Sequence, residues 1–333
     1  PQWPNNVKVV GNYAYIASTI SGLQIVDVSD PNAMSLVGGI SSLYISYVVD
    51  VQGNYAYVAD YSRGLRIINI SDPVNPILVS TTDTPGECRG VAVSGNYAYV
   101  ADGSLGLQVI DVSSPTVPYI VGSLDLLGYA HNAKVCNGLV YVLSQSAGLH
   151  IIDASNPLDP TLLRRVNTPG SAHDVVFSEN YAYVADVSQG LQIVDISDPS
   201  IASIVGSLND LTHAYTLDIL GDIVYLTDRE YGIHLLNVSS HSDPIVVGSI
   251  ETGYIQDVFV AEDYVYAVTS TGFLSIQQDC GIALTADFVS DVTSGDSPLT
   301  VQLTDQSTGD PTSWEWDFGD DNTSTEQNPE HTY

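Results

Sequence analysis

The segment Gly95-Asn96-Tyr97-Ala98-Tyr99-Val100-Ala101-Asp102 decides the fold of this chain, together with Gly106-Leu107-Gln108-Val109-Ile110-Asp111, which follows it after a short turn. Copies of this pair recur along most of the sequence, and their second tyrosines are Tyr15, Tyr57, Tyr99, Tyr141, Tyr183, Tyr225 and Tyr266. The spacing between these anchor tyrosines is 42 residues five times and 41 residues once. A period of about 40 to 45 residues with four strand-like pieces is typical of propeller blades. The sequence therefore predicts an all-β fold that contains a seven-bladed β-propeller.

Each copy contains four short strand-like pieces separated by turns. In the second copy we expect strands at residues 48–51, 55–60, 65–70 and 77–80. The turn Ser71-Asp72-Pro73 ends the third strand, because proline cannot donate to a ladder and aspartate favours turns. The third strand is apolar almost throughout, which indicates burial on both faces, as between two neighbouring blades.

The first and seventh copies predict how the ring of blades closes. The seventh copy continues to Gln277 and then lacks the fourth-strand pattern that is seen, for example, at Val121. Pro1 occupies the position that follows such a strand in other copies. We therefore expect residues upstream of Pro1 to supply the missing strand, because an open edge strand invites pairing with other chains. The alternatives are that residues near 282–284 fill the gap or that a neighbouring molecule does.

The composition is strongly acidic. The 333 residues include 39 Asp and Glu against 8 Lys and Arg, which gives a formal net charge of −31. Nucleic-acid binding is not expected, because a phosphate backbone requires a basic face, and binding to an anionic membrane surface is disfavoured for the same reason. No apolar run reaches the length of about 18 residues that indicates a membrane span. Such acidity suits a soluble extracellular protein or one that lives in salty surroundings.

The third strands carry a family resemblance. Leu23-Gln24-Ile25-Val26-Asp27 and Leu191-Gln192-Ile193-Val194-Asp195 fit the pattern Leu-x-Ile-Val-Asp. This pattern resembles the LVIVD repeat family, whose members look like β-propellers on cell surfaces. The resemblance covers residues 1–279 and implies a propeller domain over that range. The second, sixth and seventh copies replace the aspartate, so that a role of this carboxylate is not needed in every blade; the replacing residues are Asn69, Asn237 and Gln277.

A second domain is indicated over residues 283–333, where the repeat has stopped. This segment resembles the polycystic-kidney-disease (PKD) type domain in Ala286-Asp287-Phe288, Pro298-Leu299-Thr300-Val301, Trp314-Glu315-Trp316-Asp317-Phe318-Gly319-Asp320, Asn328-Pro329 and His331-Thr332-Tyr333. The resemblance implies a partial immunoglobulin-like β-sandwich, since such a fold typically has ~100 residues. Asp321 departs from the family, which usually has glycine there. The pairing of a propeller with such a domain resembles archaeal and bacterial surface-layer and adhesion proteins.

The position ten residues before the anchor tyrosine changes in character from copy to copy. The first strand of a propeller blade is the innermost, so we expect these side chains to surround one mouth of a central channel, on the side of the turns that end the second strands. Two histidines, two tyrosines and an arginine predict a site for a ligand, a glycan or a metal, although two histidines alone are weak evidence for zinc. The alternative is that a solvated rim tolerates any polar residue. The seven residues are Asn5, Tyr47, Arg89, His131, His173, Tyr215 and Gln256.

Four aspartates end the second strands of their copies. Carboxylates on one face predict a calcium site, because calcium prefers oxygen ligands, and the alternative interpretation is turn capping and solubility. The residues are Asp60, Asp102, Asp186 and Asp228.

Three Asn-x-Ser/Thr sequons predict glycosylation if the chain is exported. Asn322 lies in a turn and is the best acceptor, whereas Asn69 and Asn237 end third strands, where a glycan is less easily accommodated. The cysteines show no C-x-x-C spacing, so we expect buried or free thiols without chemistry. They are Cys88, Cys136 and Cys280.

The sequence contains no catalytic motif with convincing spacing. We therefore expect a non-enzymatic extracellular scaffold or surface-layer component at the cell surface, which packs with other copies of itself or with other surface proteins. One alternative is an adhesin that recognises a glycan or a protein at the channel mouth. Another is an enzyme with its site at that mouth, which the fold alone does not decide.

Overall fold

The computed structural model describes residues 3–261, 263–270, 272–277, 287–295, 297–307, 313–320 and 322–333. Some sequence expectations depend on residues outside these ranges, namely Pro1, Cys280, 282–284, Ala286 and Asp321. The chain divides into two compact units, residues 1–277 and residues 278–333. The described residues form strands and no helix, which confirms the all-β prediction.

The first unit contains, in its described residues, six four-stranded antiparallel sheets and one three-stranded sheet, numbered here in chain order. Sheet 1 consists of β1 (Pro4–Val10), β2 (Tyr13–Ser18), β3 (Gly22–Asp27) and β4 (Ser35–Ile40). Sheet 2 consists of β5 (Val48–Gln52), β6 (Tyr55–Ala59), β7 (Leu65–Asn69) and β8 (Ile77–Thr82). Sheet 3 consists of β9 (Gly90–Ser94), β10 (Tyr97–Ala101), β11 (Leu107–Asp111) and β12 (Tyr119–Leu124).

The remaining sheets repeat this order. Sheet 4 consists of β13 (Ala130–Cys136), β14 (Leu139–Ser144), β15 (Gly148–Asp153) and β16 (Thr161–Val166). Sheet 5 consists of β17 (Ala172–Ser178), β18 (Tyr181–Asp186), β19 (Gly190–Asp195) and β20 (Ser203–Leu208). Sheet 6 consists of β21 (Ala214–Leu220), β22 (Ile223–Asp228), β23 (Gly232–Asn237) and β24 (Ile245–Glu251). Sheet 7 consists of β25 (Ile255–Val260), β26 (Tyr264–Thr269) and β27 (Phe273–Gln277).

The two middle strands of each four-stranded sheet carry most of its buried side chains. In sheet 3, Tyr99 of β10 pairs with Ala92 of β9 and with Val109 of β11. Each anchor tyrosine is the third residue of its second strand, and none is more than 7 % exposed. The third strand β11 is buried at its first four residues, which confirms that both of its faces are covered.

Hydrophobic clusters pack the sheets against one another in order. In the described residues, six clusters each join one sheet to the next, and a seventh joins sheet 7 to sheet 1. In the seventh cluster, Ile16 and Val26 of sheet 1 lie with Tyr266 and Val268 of sheet 7. Each sheet is thus packed between two others, and this explains why the third strands are apolar almost throughout rather than alternating.

The first strands of all seven sheets line one cavity of about 580 Å³. Among the described residues, no strand pairs along the inner edge of a first strand, so the backbone N–H groups there need other acceptors. Side chains of the neighbouring sheet supply them: the Asp50 carboxylate accepts from the Val93 N–H at 2.8 Å, and that of Asp218 accepts from the Val260 N–H at 2.7 Å. Asp257 Oδ2 accepts from the Val7 N–H at 2.8 Å and therefore joins sheet 7 to sheet 1.

The outer strand of sheet 7 differs from its counterparts. In sheet 3 a fourth strand, β12, pairs with β11, whereas no described residue pairs with the outer edge of β27. Ser275 of β27 instead donates its hydroxyl to the Pro31 carbonyl of sheet 1 at 2.6 Å. The segment that covers this edge in the natural protein stays a prediction.

The second unit forms a small antiparallel sheet and a strand pair in its described residues. The sheet has the order β28 (Phe288–Ser290), β29 (Thr300–Asp305) and β32 (Glu330–Thr332), and the pair consists of β30 (Trp316–Asp317) and β31 (Thr323–Ser324). Trp314 Nε1 donates to Asp305 Oδ2 at 2.9 Å, and the ring of Phe318 stacks on that of His331 with 4.2 Å between centroids. The tryptophan-rich motif is thus held by contacts across this unit.

Candidate functional site

The repeat places the seven predicted mouth residues at the start of the seven first strands. In five of the sheets, a register shift falls at the mouth residue, so that this residue has no partner in the ladder; the shifts occur at Asn5, His131, His173, Tyr215 and Gln256. A β-bulge bends its strand and can turn a side chain away from the sheet. The backbone therefore presents these side chains at one end of the cavity-lining strands.

One group of side chains surrounds Arg89. Its guanidinium carbon lies 4.5 Å from the ring centroid of Tyr47 and 4.7 Å from that of Tyr61. Its Nε donates to the Tyr129 hydroxyl at 3.0 Å, and its Nη2 forms an ion pair with Glu87 Oε2 at 3.0 Å. An arginine over tyrosine faces gains cation–π stabilisation that is strongest where water is excluded.

The Glu87 carboxylate compensates the charge of Arg89 and accepts hydrogen bonds from two tyrosine hydroxyls. Both Tyr61 and Tyr129 donate their hydroxyls to its carboxylate. These hydrogen bonds, that from Tyr129 foremost, lower the pKa of Glu87. Burial, reinforced by the bond to Glu87, raises the pKa of Tyr129 to about 12. The Arg89 group is therefore a saturated network in which each charge has a partner.

A second group is a stack of planar side chains. The centroid distance is 4.1 Å between His131 and His173 and 3.5 Å between His173 and Tyr215. The Arg229 guanidinium carbon lies 3.0 Å from the Tyr215 centroid and 5.5 Å from that of Tyr254. Gln256, the seventh-copy mouth residue, accepts from Arg229 Nη2 at 3.0 Å. We call the residues of both groups the mouth cluster.

Burial and the two arginines keep the histidines uncharged. The pKa of His131 is lowered to about 4, first by burial and then by the charges of Arg89 and Arg229. The pKa of His173 is lowered well below its usual value by burial, His131 and Arg229. Because Arg89 and Arg229 both act on His131, the two groups lie within electrostatic reach of each other.

The second group leaves several buried polar atoms without a partner. They are Nδ1 of His131, both ring nitrogens of His173, and Nε of Arg229. The backbone of Tyr215 approaches the His173 ring, but neither ring nitrogen has a partner with hydrogen-bond geometry. Buried donors and acceptors in folded proteins are nearly always satisfied, so that four unsatisfied atoms in one place indicate a missing partner such as water or a ligand.

Asn5 has a different role from the other mouth residues. Its Nδ2 donates to Thr19 Oγ1 at 2.7 Å and to the Ser46 carbonyl at 2.8 Å. It thus ties sheet 1 to the loop that leads into Tyr47. The structure brings the other six predicted residues into the two groups and places Asn5 beside them as a link between sheets.

Sequence reasoning missed five members of the mouth cluster. Glu87, Tyr129 and Tyr254 all stand twelve residues before an anchor tyrosine, and Tyr61 and Arg229 stand four residues after one. These two repeat positions vary from copy to copy as much as the position that was singled out. A comparison of the copies that also includes these two repeat positions identifies the remaining members of the cluster.

The four aspartates bind the loops that lead into the first strands or the turns that follow their own strands. Three of them accept from N–H groups of the loops before the first strands, each at 2.8 Å: Asp60 from Tyr44, Asp102 from Gly86 and Asp186 from Gly170. Asp228 accepts from the Glu230 N–H, in the turn after its own strand, at 2.7 Å. Among the described residues, no group of three or more His, Cys, Asp or Glu is arranged to hold a metal ion. Loop positioning accounts for these carboxylates, and calcium stays a prediction.

The sequons and cysteines take the following places. Asn69 and Asn237 accept from the N–H groups of Ser71 and Ser239, at 2.9 Å and 3.0 Å, and Asn322 is exposed. Cys88 is buried and Cys136 half-buried, both with free thiols. Glycosylation at the three asparagines stays a prediction.

The sheets and the mouth cluster define an all-β repeat protein with a composite site built from several repeats. The family model of the LVIVD repeat matches residues 4–41, 46–84, 85–125, 127–168 and 169–210. The chain belongs to the LVIVD repeat family. The model of the PKD domain matches residues 282–333. These matches confirm the LVIVD resemblance over five repeats and the PKD resemblance, while the LVIVD resemblance beyond residue 210 and the resemblance to surface-layer proteins stay predictions.

Solved structures show the same fold at low sequence identity. A functionally unknown protein from Desulfotomaculum acetoxidans DSM 771 has a TM-score of 0.68 at 12% identity, covering 80% of this chain and 93% of its own. The computationally designed Ika8 protein has a TM-score of 0.62 at 9% identity, covering 91% of this chain and 84% of its own. Among curated proteins, none matches the sequence. The described residues contain no helix long and apolar enough to cross a membrane.

Proposed function

We propose that residues 3–277 form a seven-bladed β-propeller and that the chain is a non-enzymatic cell-surface protein which binds an extracellular partner at the mouth cluster. Seven consecutive sheets, each packed between two others, support the propeller. The PKD domain and the net charge of −31 support an exported protein.

The convergence of the variable repeat positions carries the binding proposal. The anchor tyrosine is the same in all seven copies, because it serves packing in each sheet. The three variable positions instead bring side chains from the second to the seventh copies into one cluster rich in tyrosine, arginine and histidine. Tyrosine and arginine are enriched in binding sites, since they combine apolar surface with hydrogen-bonding groups.

A comparison of mouth and control variants tests this proposal. The purified chain is applied to arrays of glycans and of extracellular peptides, and bound partners are titrated to saturation. We expect saturable binding that the double variant His131→Ala/His173→Ala abolishes. The control is Leu158→Ala, which alters a side chain that is 69 % exposed on the surface. Binding that survives the double variant, with folding verified by circular dichroism, would place the partner elsewhere.

The outer strands favour a second candidate, a scaffold in which copies pack side by side. Large apolar side chains at the start of fourth strands are exposed, among them Ile77 at 63 %, Tyr119 at 57 % and Ile245 at 54 %. Exposed apolar positions on outer strands are suited to contacts between copies. We expect filaments or sheets in electron micrographs of concentrated protein, and their loss in Ile77→Lys/Ile245→Lys. A monodisperse monomer at all concentrations would contradict this candidate.

A further inference from the structure

We propose that the mouth cluster binds the oxyanion of an acidic saccharide, a carboxylate or a sulfate group, at the unpartnered nitrogens of Arg229 and His173, which lie on opposite faces of the Tyr215 ring. This rests on the proposed binding function and names the chemistry of its ligand.

The unsatisfied atoms of the second group define the contact. His173 is only 8 % exposed and neither of its ring nitrogens has a partner, while Arg229 Nε and His131 Nδ1 are also buried and unpartnered. A guanidinium N–H and the N–H of a neutral imidazole are donors. An oxyanion offers several acceptor lone pairs in a small volume, so that one group can satisfy more than one of these donors. Hydrogen bonds to charged groups are stronger than those between neutral groups.

The charge distribution selects an anion over a cation. Arg89 has Glu87 as its counter-ion at 3.0 Å, whereas among the described residues no carboxylate lies within ion-pair distance of Arg229. Arg229 is therefore the uncompensated cation of the mouth cluster. Both arginines would repel a metal ion that lies beside the two neutral histidines, whereas they would attract an anion in the same place. The chain as a whole repels anions with its charge of −31, so that binding depends on contacts within this site.

The surroundings of Arg229 favour a saccharide as the carrier of the anion. Tyr254 is 40 % exposed, lies beside the guanidinium and receives a 3.4 Å hydrogen bond from Gln256. Its ring offers an apolar face and its hydroxyl a polar tip to a ligand that approaches from solvent. A sugar ring has an apolar face and a rim of hydroxyls, and thus matches this arrangement better than a bare inorganic ion does.

Titration with a matched pair of ligands tests the inference. The probes are a galacturonate trisaccharide and its methyl ester, in which each carboxylate is replaced by an uncharged ester that carries one additional methyl group. Binding is followed by calorimetry and by the NMR signals of the protein. We expect the trisaccharide to bind and the ester to bind at least about tenfold more weakly, and Arg229→Gln to reduce the affinity for the acid by about tenfold or more. Arg165→Gln, which removes the same charge from exposed strand β16, is the control and leaves the affinity within about twofold.

Each experimental outcome supports or overturns a specific part of the inference. Competition by inorganic sulfate at constant ionic strength shows that the site accepts a sulfate as well as a carboxylate, and absence of competition restricts it to a carboxylate; both support the inference. Equal affinity for acid and ester overturns the oxyanion but leaves binding at the mouth intact. Binding only of a peptide with a free C-terminal carboxylate overturns the saccharide. If Arg229→Gln does not fold, Arg229→Lys keeps the charge and lacks the Nε donor, and undiminished affinity in that variant overturns the assigned contact. Absence of any binding that depends on the mouth overturns the proposed function as well.

Discussion

Asp257 makes the stability of the first unit dependent on pH. Its carboxylate is 4 % exposed and bonds the Val7 N–H and Asn6 Nδ2, the contacts that join sheet 7 to sheet 1. Burial, and next the charge of Asp174, raises the pKa of Asp257 from 3.8 to about 7, against opposing effects of the Val7 N–H and Lys134. Ionised Asp257 is therefore costly in the folded protein.

The sign of the effect follows from proton binding. Between about pH 4 and about pH 7, the folded protein holds the Asp257 proton while the unfolded chain has lost it, so that the free energy of unfolding falls as the pH rises through this window. Three pKa units correspond to on the order of 4 kcal/mol. Asp257→Asn removes the titration and retains a carbonyl oxygen for the Val7 N–H. We expect the stability of the variant, relative to the natural protein, to increase by about that amount between about pH 4 and about pH 8.

Urea unfolding at a series of pH values measures this difference, because the free energy of unfolding falls linearly with urea. The general repulsion among the acidic residues affects both proteins alike and cancels in the comparison. Asp83→Asn removes a carboxylate from an exposed position and is the matched control. We expect the difference in unfolding free energy between this variant and the natural protein to show no trend with pH. A difference between Asp257→Asn and the natural protein that stays constant with pH would refute the argument that Asp257 is protonated near neutral pH in the folded state.

Three further outcomes are expected. A synthetic peptide with the sequence of residues 119–124 should raise the melting temperature by pairing with the outer edge of β27, and a version with leucine in place of its glycine should not; differential scanning fluorimetry compares them. Gly106→Ala should cost more stability in urea than Gly95→Ala, because both glycines have positive φ values (70° and 59°) but only Gly106 is crowded by backbone atoms; equal losses would contradict this. Arg89→Gln should raise the pKa of His131 in an NMR titration, since a nearby positive charge is removed, and an unchanged value would show that Arg89 does not contribute to the lowered pKa.

The strands and their packing were predictable because the repeat states the same pattern several times. The anchor tyrosines and the apolar third strands depend on local alternation and on burial, which a sequence displays directly. The period also predicted that equivalent residues of the copies would lie at equivalent positions, and six of the seven residues singled out in this way belong to the mouth cluster, while five other members were missed. The seven anchor tyrosines, of which Tyr99 is one, therefore occupy the same position in seven strands.

The parts that could not be predicted depend on contacts between copies. Asp218 reaches the Val260 N–H in the next sheet, and the repeat gives no sign that this carboxylate serves a neighbour rather than solvent. The loop contact of Asp102 illustrates the same limit, because its carboxylate accepts from the Gly86 N–H, whose approach depends on the folded path of the chain. The low pKa of His173 likewise depends on burial among three other planar groups and not on its neighbours in sequence.

The mouth cluster shows how a repeat protein builds a site that no single repeat contains. Arg89 and Arg229 come from different repeat positions and different sheets. Arg89 is held by Tyr47 and Tyr129 of the two adjacent copies, and Arg229 by Tyr215 of its own copy and Tyr254 of the next. The first arginine has its counter-ion and the second does not, so the two groups are unequal although they are built alike. Since the surrounding sheets fix these side chains before any partner arrives, the cost of ordering them is met during folding, and a ligand that satisfies Arg229 and His173 gains the contacts without that cost. The variable positions can thus change from one copy to another without disturbing the apolar strands beneath them, and for that reason binding specificity in this chain is expected to follow the mouth cluster and not the repeated motif.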